Sequence, residues 1–148
     1  MPLMNKFMAE ALKEANKGFK EGGIPIGSVV VKNGEIVGRG HNKRVQKNST
    51  ILHAEMDALE SIGRKDASFY SDVVLYTTLS PCSMCSGAIL LYKIPYVVIG
   101  ENRNFRGEED LLRERKVIIE VLDEPDCYKL MNNFILSKPL LWNEDIGT

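Results

Sequence analysis

Residues 73–100 read VVLYTTLSPCSMCSGAILLYKIPYVVIG. Their apolar pattern predicts a buried strand over Val73 to Leu79, a helix from about Cys82 to Tyr92, and a second strand over Tyr96 to Gly100. Ser80-Pro81 opens the helix, and proline suits a first helical position because its missing N–H is not needed there. A strand, a helix and a strand in this order predict two parallel strands joined by a right-handed crossover.

The remaining elements follow from the same kind of pattern. They are a helix from Leu3 to Phe19 stopped by Gly22-Gly23, a hairpin of Ile26 to Lys32 and Glu35 to Gly40 around Asn33-Gly34, a helix from about His53 to Ile62 ending at Gly63, a strand over Val117 to Leu122 and a helix from about Pro125 to Leu136. Thr50 is a candidate cap for the helix at His53. The order predicts an α/β fold, a three-layer α/β/α sandwich with a mixed five-stranded central sheet whose first pair is antiparallel, in a single domain over residues 1–148.

The composition limits the classes of function. Of the 148 residues, 44% are hydrophobic and 26% are charged, and the formal net charge is −1. This balance is typical of a globular domain with a core, not of a disordered or coiled-coil chain. A chain without a basic excess is a poor candidate for binding nucleic acid through its overall charge. The sequence shows neither an apolar span of roughly 18 residues nor a signal region, so we expect a cytoplasmic chain.

Two short motifs carry the chemistry, His53-Ala54-Glu55 and Pro81-Cys82-Ser83-Met84-Cys85. Two cysteines three residues apart on a helix project from the same side and can hold one metal ion. His53 opens the preceding helix, so we expect its ring at the same edge of the sheet. Two thiolates and one neutral imidazole are three protein ligands, as in catalytic zinc sites that leave a fourth position for water. The other histidine and cysteine, His41 and Cys127, offer no obvious fourth ligand.

Glu55 is the expected base beside the metal. It follows His53 by two residues, roughly 200° around an ideal helix, which makes the two an unsuitable pair of ligands on one face. Two thiolates cancel the charge of Zn²⁺, so the positive ends of the two helices are expected to lower the thiolate pKa values and to restrain their electron donation. Glu55 then accepts the proton of water and leaves a zinc-bound hydroxide as the nucleophile.

The residues alone leave other interpretations open. A Cys-x-x-Cys pair also occurs in redox proteins and in structural zinc sites, but a redox pair needs no His-x-Glu partner. Cys127 lies on an amphipathic helix and is expected to be a small core residue. His41 beside Asn42 can be an ordinary loop pair. Trp142 can pin the C-terminal segment to the domain, and Asp145 can be a solvated charge.

As a whole, the chain resembles the cytidine deaminase-like zinc hydrolases and, within them, the yeast-type cytosine deaminases. The H-x-E and P-C-x-x-C pattern is the signature of zinc deaminases in general. The resemblance covers nearly the whole chain, through KEGGIPIG (20–27), GRGHN (38–42), LYTTLSPC (75–82), GEN (100–102) and WNEDIG (142–147). The segment from Trp142 to Asp145, and Gly100-Glu101-Asn102 with Phe105, discriminate most between members. Fungal cytosine deaminases carry glycine where this chain has Ala54.

The resemblance implies a role for each matching residue. One Zn²⁺ per chain is bound by His53, Cys82 and Cys85, and Glu55 moves a proton from water to the ring N3 and then to the leaving amine. The implied substrate contacts are Asn42 and the Ala54 N–H at the N1/O2 side, the Ser80 carbonyl and the Asp145 carboxylate at the amine, and Phe105, Trp142 and Ile26 around the ring. The implied activity is hydrolytic deamination of cytosine to uracil and ammonia in pyrimidine salvage, by a homodimer. The apolar helix from Ala88 to Tyr92 is a candidate for its interface.

Three alternative functions stay open at this point. The same zinc chemistry can act on another small amino-substituted ring, such as guanine, creatinine or a pterin-like base. A tRNA adenosine deaminase is a second alternative, which the acidic Asn143-Glu144-Asp145 and the slight negative net charge disfavour. A zinc-stabilised binding module without activity is the third, and it would need no proton shuttle at Glu55.

Overall fold

The computed structural model describes residues 4–148, so Leu3 of the predicted first helix lies outside the described part. The elements in chain order are α1 (Lys6–Lys20), β1 (Gly27–Lys32), β2 (Glu35–His41), α2 (Ala54–Ile62), β3 (Val73–Leu79), α3 (Ser83–Leu91), β4 (Tyr96–Glu101), α4 (Glu109–Glu114), β5 (Ile118–Val121), α5 (Pro125–Ser137) and α6 (Pro139–Asp145). Every predicted helix and strand is present. Apart from the start of α1, the comparable ends differ from the prediction by a single residue or not at all. No helix within residues 4–148 is long and apolar enough to cross a membrane.

The five strands form one mixed sheet in the order β2-β1-β3-β4-β5. The pairs β1–β2 and β1–β3 are antiparallel, whereas β3–β4 and β4–β5 are parallel. The first hairpin turns at Asn33 and Gly34, both with positive φ (52° and 79°). Asparagine and glycine accept this left-handed backbone at little cost, which is why Asn-Gly predicts such a turn. The predicted fold class is therefore confirmed.

The core consists of a layer on each face of the sheet. On one face Val30, Leu75 and Val97 pack with Ala58 of α2 and Ile89 of α3. On the other face the core contains α1 and α5 residues together with alternate strand positions, namely Met8, Ala11, Val29, Val31, Val98 and Cys127. The predicted core position of Cys127 is thus confirmed. The alternation of neighbouring valines between the two faces is the period-2 pattern of a strand buried on both sides.

Two local predictions at helix starts are wrong. Pro81 is not the first helical residue, because the backbone stays extended through Cys82 and the helix begins at Ser83. Thr50 does not cap α2, whose N-cap is His53. The chain around Thr50 forms a turn instead. In this turn Ser49 Oγ accepts the N–H groups of residues 51 and 52, at 3.2 and 3.1 Å. The N-caps of the two helices are therefore the metal-ligand candidates Cys82 and His53, whose side chains make no capping hydrogen bond.

Three elements lie where the sequence analysis predicted none. They are a 3₁₀ turn at Phe69–Asp72 and the helices α4 and α6. Helix α6 packs through Trp142 into a third apolar cluster with Ile24, Phe134 and Met131. This cluster lies at the carboxyl end of β3, and several of its side chains line the site described next.

Candidate active site

The structure brings His53, Cys82 and Cys85 together, with their ligand atoms all within 4.8 Å of one another. His53 and Cys82 are the N-caps of α2 and α3, and Cys85 lies in the first turn of α3. His53 Nδ1 lies 3.4 Å from Cys82 Sγ. Within residues 4–148 no other group of three such side chains is gathered in this way. Two sulfur donors and one imidazole nitrogen are the donor set of a catalytic zinc site, so the residues present fit that ion.

The two cysteines differ in their readiness to ionise. The pKa of Cys82 is lowered to about 4, because the Cys85 thiol, His53 and the Cys85 backbone N–H all donate to its sulfur. The donated thiol proton and burial raise the pKa of Cys85 well above its usual value. The amide at the start of α3 lowers the pKa of Cys82 as expected, although the neighbouring thiol has the largest effect. The expected lowering is not found for Cys85, because its pKa is raised.

His53 interacts with this thiolate and with a buried carboxylate. Burial lowers its pKa, but the hydrogen bond to Cys82 and the charges of Asp145 and Glu55 outweigh burial and raise the pKa to about 9. Its Nδ1 faces Cys82, and its Nε2 lies 3.2 Å from Asp145 Oδ1. The ring therefore presents one nitrogen to the metal-ligand cluster and the other to a buried carboxylate, as metal-binding histidines commonly do.

Glu55 lies in the first turn of α2 beside the cluster without being part of it. The side chain is buried, and burial together with the negative charge of Cys82 raises its pKa to about 7. The Cys85 side chain lies close to it and opposes part of this rise. A carboxyl group that lies against the ligands but offers no ligand atom can take up or release a proton there.

A small cavity opens onto the cluster. Its lining is mostly apolar, and it consists of Ile26, His53, Glu55, Leu79, Ser80, Cys82, Phe105, Trp142, Asp145 and Ile146. Phe105 and Trp142 meet edge to face, with ring centroids 5.8 Å apart and planes at 84°. Of the seven predicted substrate contacts, five therefore lie on the cavity. Leu79 and Ile146 were missed, although each is the chain neighbour of a predicted residue.

The other two predicted contacts, Asn42 and Ala54, lie next to the lining. Asn42 Nδ2 donates to Asp145 Oδ1 at 2.7 Å, and Asn42 Oδ1 accepts the Arg44 N–H at 3.1 Å. Ala54 is buried in the apolar cluster that contains Ile26 and Trp142. Asp145 thus bonds to both Asn42 and His53, and burial raises its pKa. These two aspartate contacts join helix α6 to the end of β2 and to the start of α2.

His41 is not on the cavity. Its ring is buried between two carboxylates, with Nδ1 3.0 Å from Glu14 Oε1 and Nε2 2.8 Å from Glu21 Oε1. Its backbone N–H donates to Asp57 Oδ2 at 3.1 Å. His41 therefore fastens the end of β2 to α1 and α2, which holds the adjacent Asn42 in place.

The fold and the three-ligand site together are those of a zinc-dependent hydrolase. Comparison with known proteins then identifies the family within this class of enzymes. Residues 1–101 match the family described as the cytidine and deoxycytidylate deaminase zinc-binding region. A cytosine deaminase from Candida albicans is 53% identical, over 96% of this chain and 95% of the relative. A tRNA-specific adenosine deaminase from Streptococcus pyogenes is 43% identical, over 86% of this chain and 87% of the relative.

The solved structure of a guanine deaminase from Nitrosomonas europaea shares the fold, with a TM-score of 0.72 and 20% identity over 90% of this chain and 85% of that one. This chain belongs to the zinc-binding cytidine and deoxycytidylate deaminase family. The predicted family, the deaminase class of enzyme and the zinc cofactor are confirmed.

Proposed function

We propose that this protein converts cytosine and water to uracil and ammonia. The observation that carries the proposal is the meeting of a three-ligand zinc cluster, a buried carboxylate and a small cavity with aromatic walls. The cavity is small and is walled by Phe105 and Trp142, which favours a free base over a nucleoside. The 53% identity to a cytosine deaminase supports the choice of ring.

Glu55 is the residue that moves the proton in this proposal. Bound zinc, held by His53, Cys82 and Cys85, would supply a Lewis acid that makes water nucleophilic at neutral pH. Glu55 takes a proton from the attacking water and passes it to the ring N3. It then takes the second proton of that water and delivers it to the exocyclic nitrogen, which leaves as ammonia. Its burial against Cys85 keeps bulk water from competing for that proton.

The polar groups on the cavity and next to its lining suit the edges of a pyrimidine. The exocyclic amine is a donor, and the Ser80 carbonyl and the Asp145 carboxylate are the acceptors proposed for it. The Asn42 amide and the Ala54 N–H are proposed for the N1/O2 side. The Asn42–Asp145 hydrogen bond of 2.7 Å supports this arrangement, because it orients both side chains before a ring enters.

Apolar groups would hold the faces of the ring. Phe105 and Trp142 wall the cavity, and Ile26 lies on its lining. A flat ring gains from contact with aromatic and aliphatic groups while its few polar atoms are fixed at the edge. Because Trp142 and Asp145 both belong to α6, this helix lines the site and limits the space for a substrate larger than a free base.

A tRNA adenosine deaminase is the second candidate, which the 43% identity to the Streptococcus pyogenes enzyme supports. Two observations favour cytosine instead. Helix α6 lines the cavity and limits its size, and the net charge of −1 offers no general attraction to phosphates. Ammonia release from a stem-loop RNA, with none from cytosine, would reverse this order.

The decisive experiment compares the wild type with Glu55→Gln, with Glu60→Gln as the control. Glu60 is an exposed acid on the same helix. We expect one zinc per chain in all three proteins, uracil and ammonia from the wild type and the control, and a loss of about 10²- to 10⁴-fold in Glu55→Gln. Full activity in Glu55→Gln would refute the role of Glu55. Zinc without cytosine turnover in the wild type would redirect the assay to guanine, creatinine and RNA.

We further propose that the chain is one deaminase domain that acts as a cytoplasmic homodimer in pyrimidine salvage. Support for the dimer comes from the end of α3, where Leu91 is 66% exposed beside the partly exposed Tyr92. Light scattering after size exclusion tests this. We expect Leu91→Asp to be monomeric and Leu136→Asp, which changes an equally apolar exposed position on α5, to stay dimeric. A wild type that elutes as a monomer would refute it.

A further inference from the structure

Glu109 is a buried acid, and it lies at the first position of α4 with only 1% of its surface exposed. Its Oε2 accepts a hydrogen bond from Ser80 Oγ at 2.6 Å, and both of its oxygens lie 3.2 Å from Asn102 Nδ2. Arg106 and Arg113 lie farther away, at 3.8 and 3.7 Å from Oε1. A buried carboxylate is stable only when such groups replace its water, so Glu109 and its partners must form as a unit.

Ser80 connects Glu109 to the cavity through its hydroxyl group. The Ser80 hydroxyl donates to Glu109 and accepts the Gly107 N–H at 2.9 Å. Its only proton is therefore used, and the hydroxyl is not free to donate to a substrate. Ser80 itself lines the cavity and stands two residues before the zinc-ligand candidate Cys82.

The segment 102–108 is fastened to the same place. The Glu108 N–H donates to the Pro81 carbonyl at 3.2 Å. A Cβ atom at Gly107 would lie 1.8 Å from the Pro81 oxygen, so the two backbones are in direct contact there. The hydrogen bonds of Ser80 Oγ with Gly107 and of Glu109 with Asn102 add side-chain contacts at both ends of this segment.

Phe105 lies in the middle of the fastened segment and forms one wall of the cavity. Its ring packs against Trp142, with 5.8 Å between the centroids. We propose that Glu109 is a positioning residue for the reaction: through Ser80 it holds both the Ser80 carbonyl and the Phe105 ring in the places where they meet the substrate ring. For the identity of the substrate, this inference rests on the proposed function.

The test uses the zinc-loaded enzyme with Glu109→Ala, Glu109→Gln and the control Asp110→Asn. Asp110 is the next residue, it is 77% exposed, and it bonds to Arg106. The measurements are zinc content, kcat and KM for cytosine, and quenching of Trp142 fluorescence by acrylamide. Trp142 is the only tryptophan, so its quenching reports on contact with the Phe105 wall without any turnover.

In Glu109→Ala we expect a zinc content equal to that of the wild type and stronger quenching of Trp142 fluorescence. We also expect the KM for cytosine to rise by roughly tenfold or more, since a charged hydrogen bond is lost. The Phe105 wall contacts the ring equally before and during the reaction, so kcat should stay within about threefold of the wild type. Glu109→Gln keeps an oxygen for the Ser80 proton and should recover most of the KM, and Asp110→Asn should match the wild type.

Unchanged KM and quenching in a folded Glu109→Ala protein would overturn the inference, as would an equal effect in Asp110→Asn. Ser80→Ala provides a second route if Glu109→Ala does not fold, because it removes only the hydroxyl and keeps the carbonyl. It should raise the KM and the quenching as well, and unchanged values would again overturn the inference. A wild type that does not turn over cytosine would refute the proposed function alone, since the quenching still tests the hold on Phe105.

Discussion

Replacing Asp145 with asparagine is expected to weaken zinc binding, although Asp145 is not a ligand. Its Oδ1 lies 3.2 Å from His53 Nε2, while Nδ1 of the same ring faces Cys82 at 3.4 Å. A carboxylate behind a histidine ligand fixes the tautomer and the orientation of the ring. Losing such a partner costs about 10- to 100-fold in metal affinity, or about 1.4 to 2.8 kcal/mol. We expect this range here because Asp145 is buried, and bulk water cannot readily take its place.

Competition with a chromogenic zinc chelator measures the affinity directly. The matched control is Glu144→Gln, which removes the same charge from the neighbouring residue. The Glu144 side chain is 63% exposed and lies 3.6 Å from Arg44. Exposed ion pairs contribute little, so the control should stay within about twofold of the wild type. Equal affinities for Asp145→Asn and Glu144→Gln would show that another group orients the His53 ring, and the reasoning would then be wrong.

Three further outcomes are expected. Leu75→Ala empties a fully buried position on the central strand β3 and should lower the free energy of unfolding by about 2–5 kcal/mol in urea titrations, with zinc content unchanged. Burial tends to raise the pKa of Glu14, but hydrogen bonds from His41 and Arg39 outweigh burial and lower the pKa below 4.5. The ionised Glu14 therefore stabilises the fold above pH 4.5, and this stabilisation is lost as the pH falls further. Glu14→Gln should therefore be less stable than the wild type at pH 6, and the difference should shrink in acid denaturation curves. Removal of zinc by a strong chelator should lower the melting temperature in calorimetry, and added zinc should restore it.

The strands could be predicted because each is a short run of β-branched and apolar residues bounded by turn residues. Asn33-Gly34 marks the hairpin on its own, since few other pairs accept two positive φ angles. Helices α4 and α6 could not be predicted in the same way, because they have six and seven residues. Helices this short are unstable in isolation. Their existence depends on contacts such as that of Trp142 with the apolar cluster at the end of β3.

The metal site and the pocket depend on different kinds of information. The His-x-Glu and Cys-x-x-Cys spacings are local, so the sequence alone could predict the zinc ligands and the base. The hydrogen bonds that shape the pocket join Ser80 to a residue 29 positions away and Asn42 to one 103 positions away. Glu109 lies between the exposed Glu108 and Asp110, and an acidic run of this kind is typical of a solvated surface. Only the folded chain shows which of the three acids contacts Ser80. Local motifs can therefore predict the chemistry of the site, whereas the choice of substrate depends on long-range contacts that a motif does not contain.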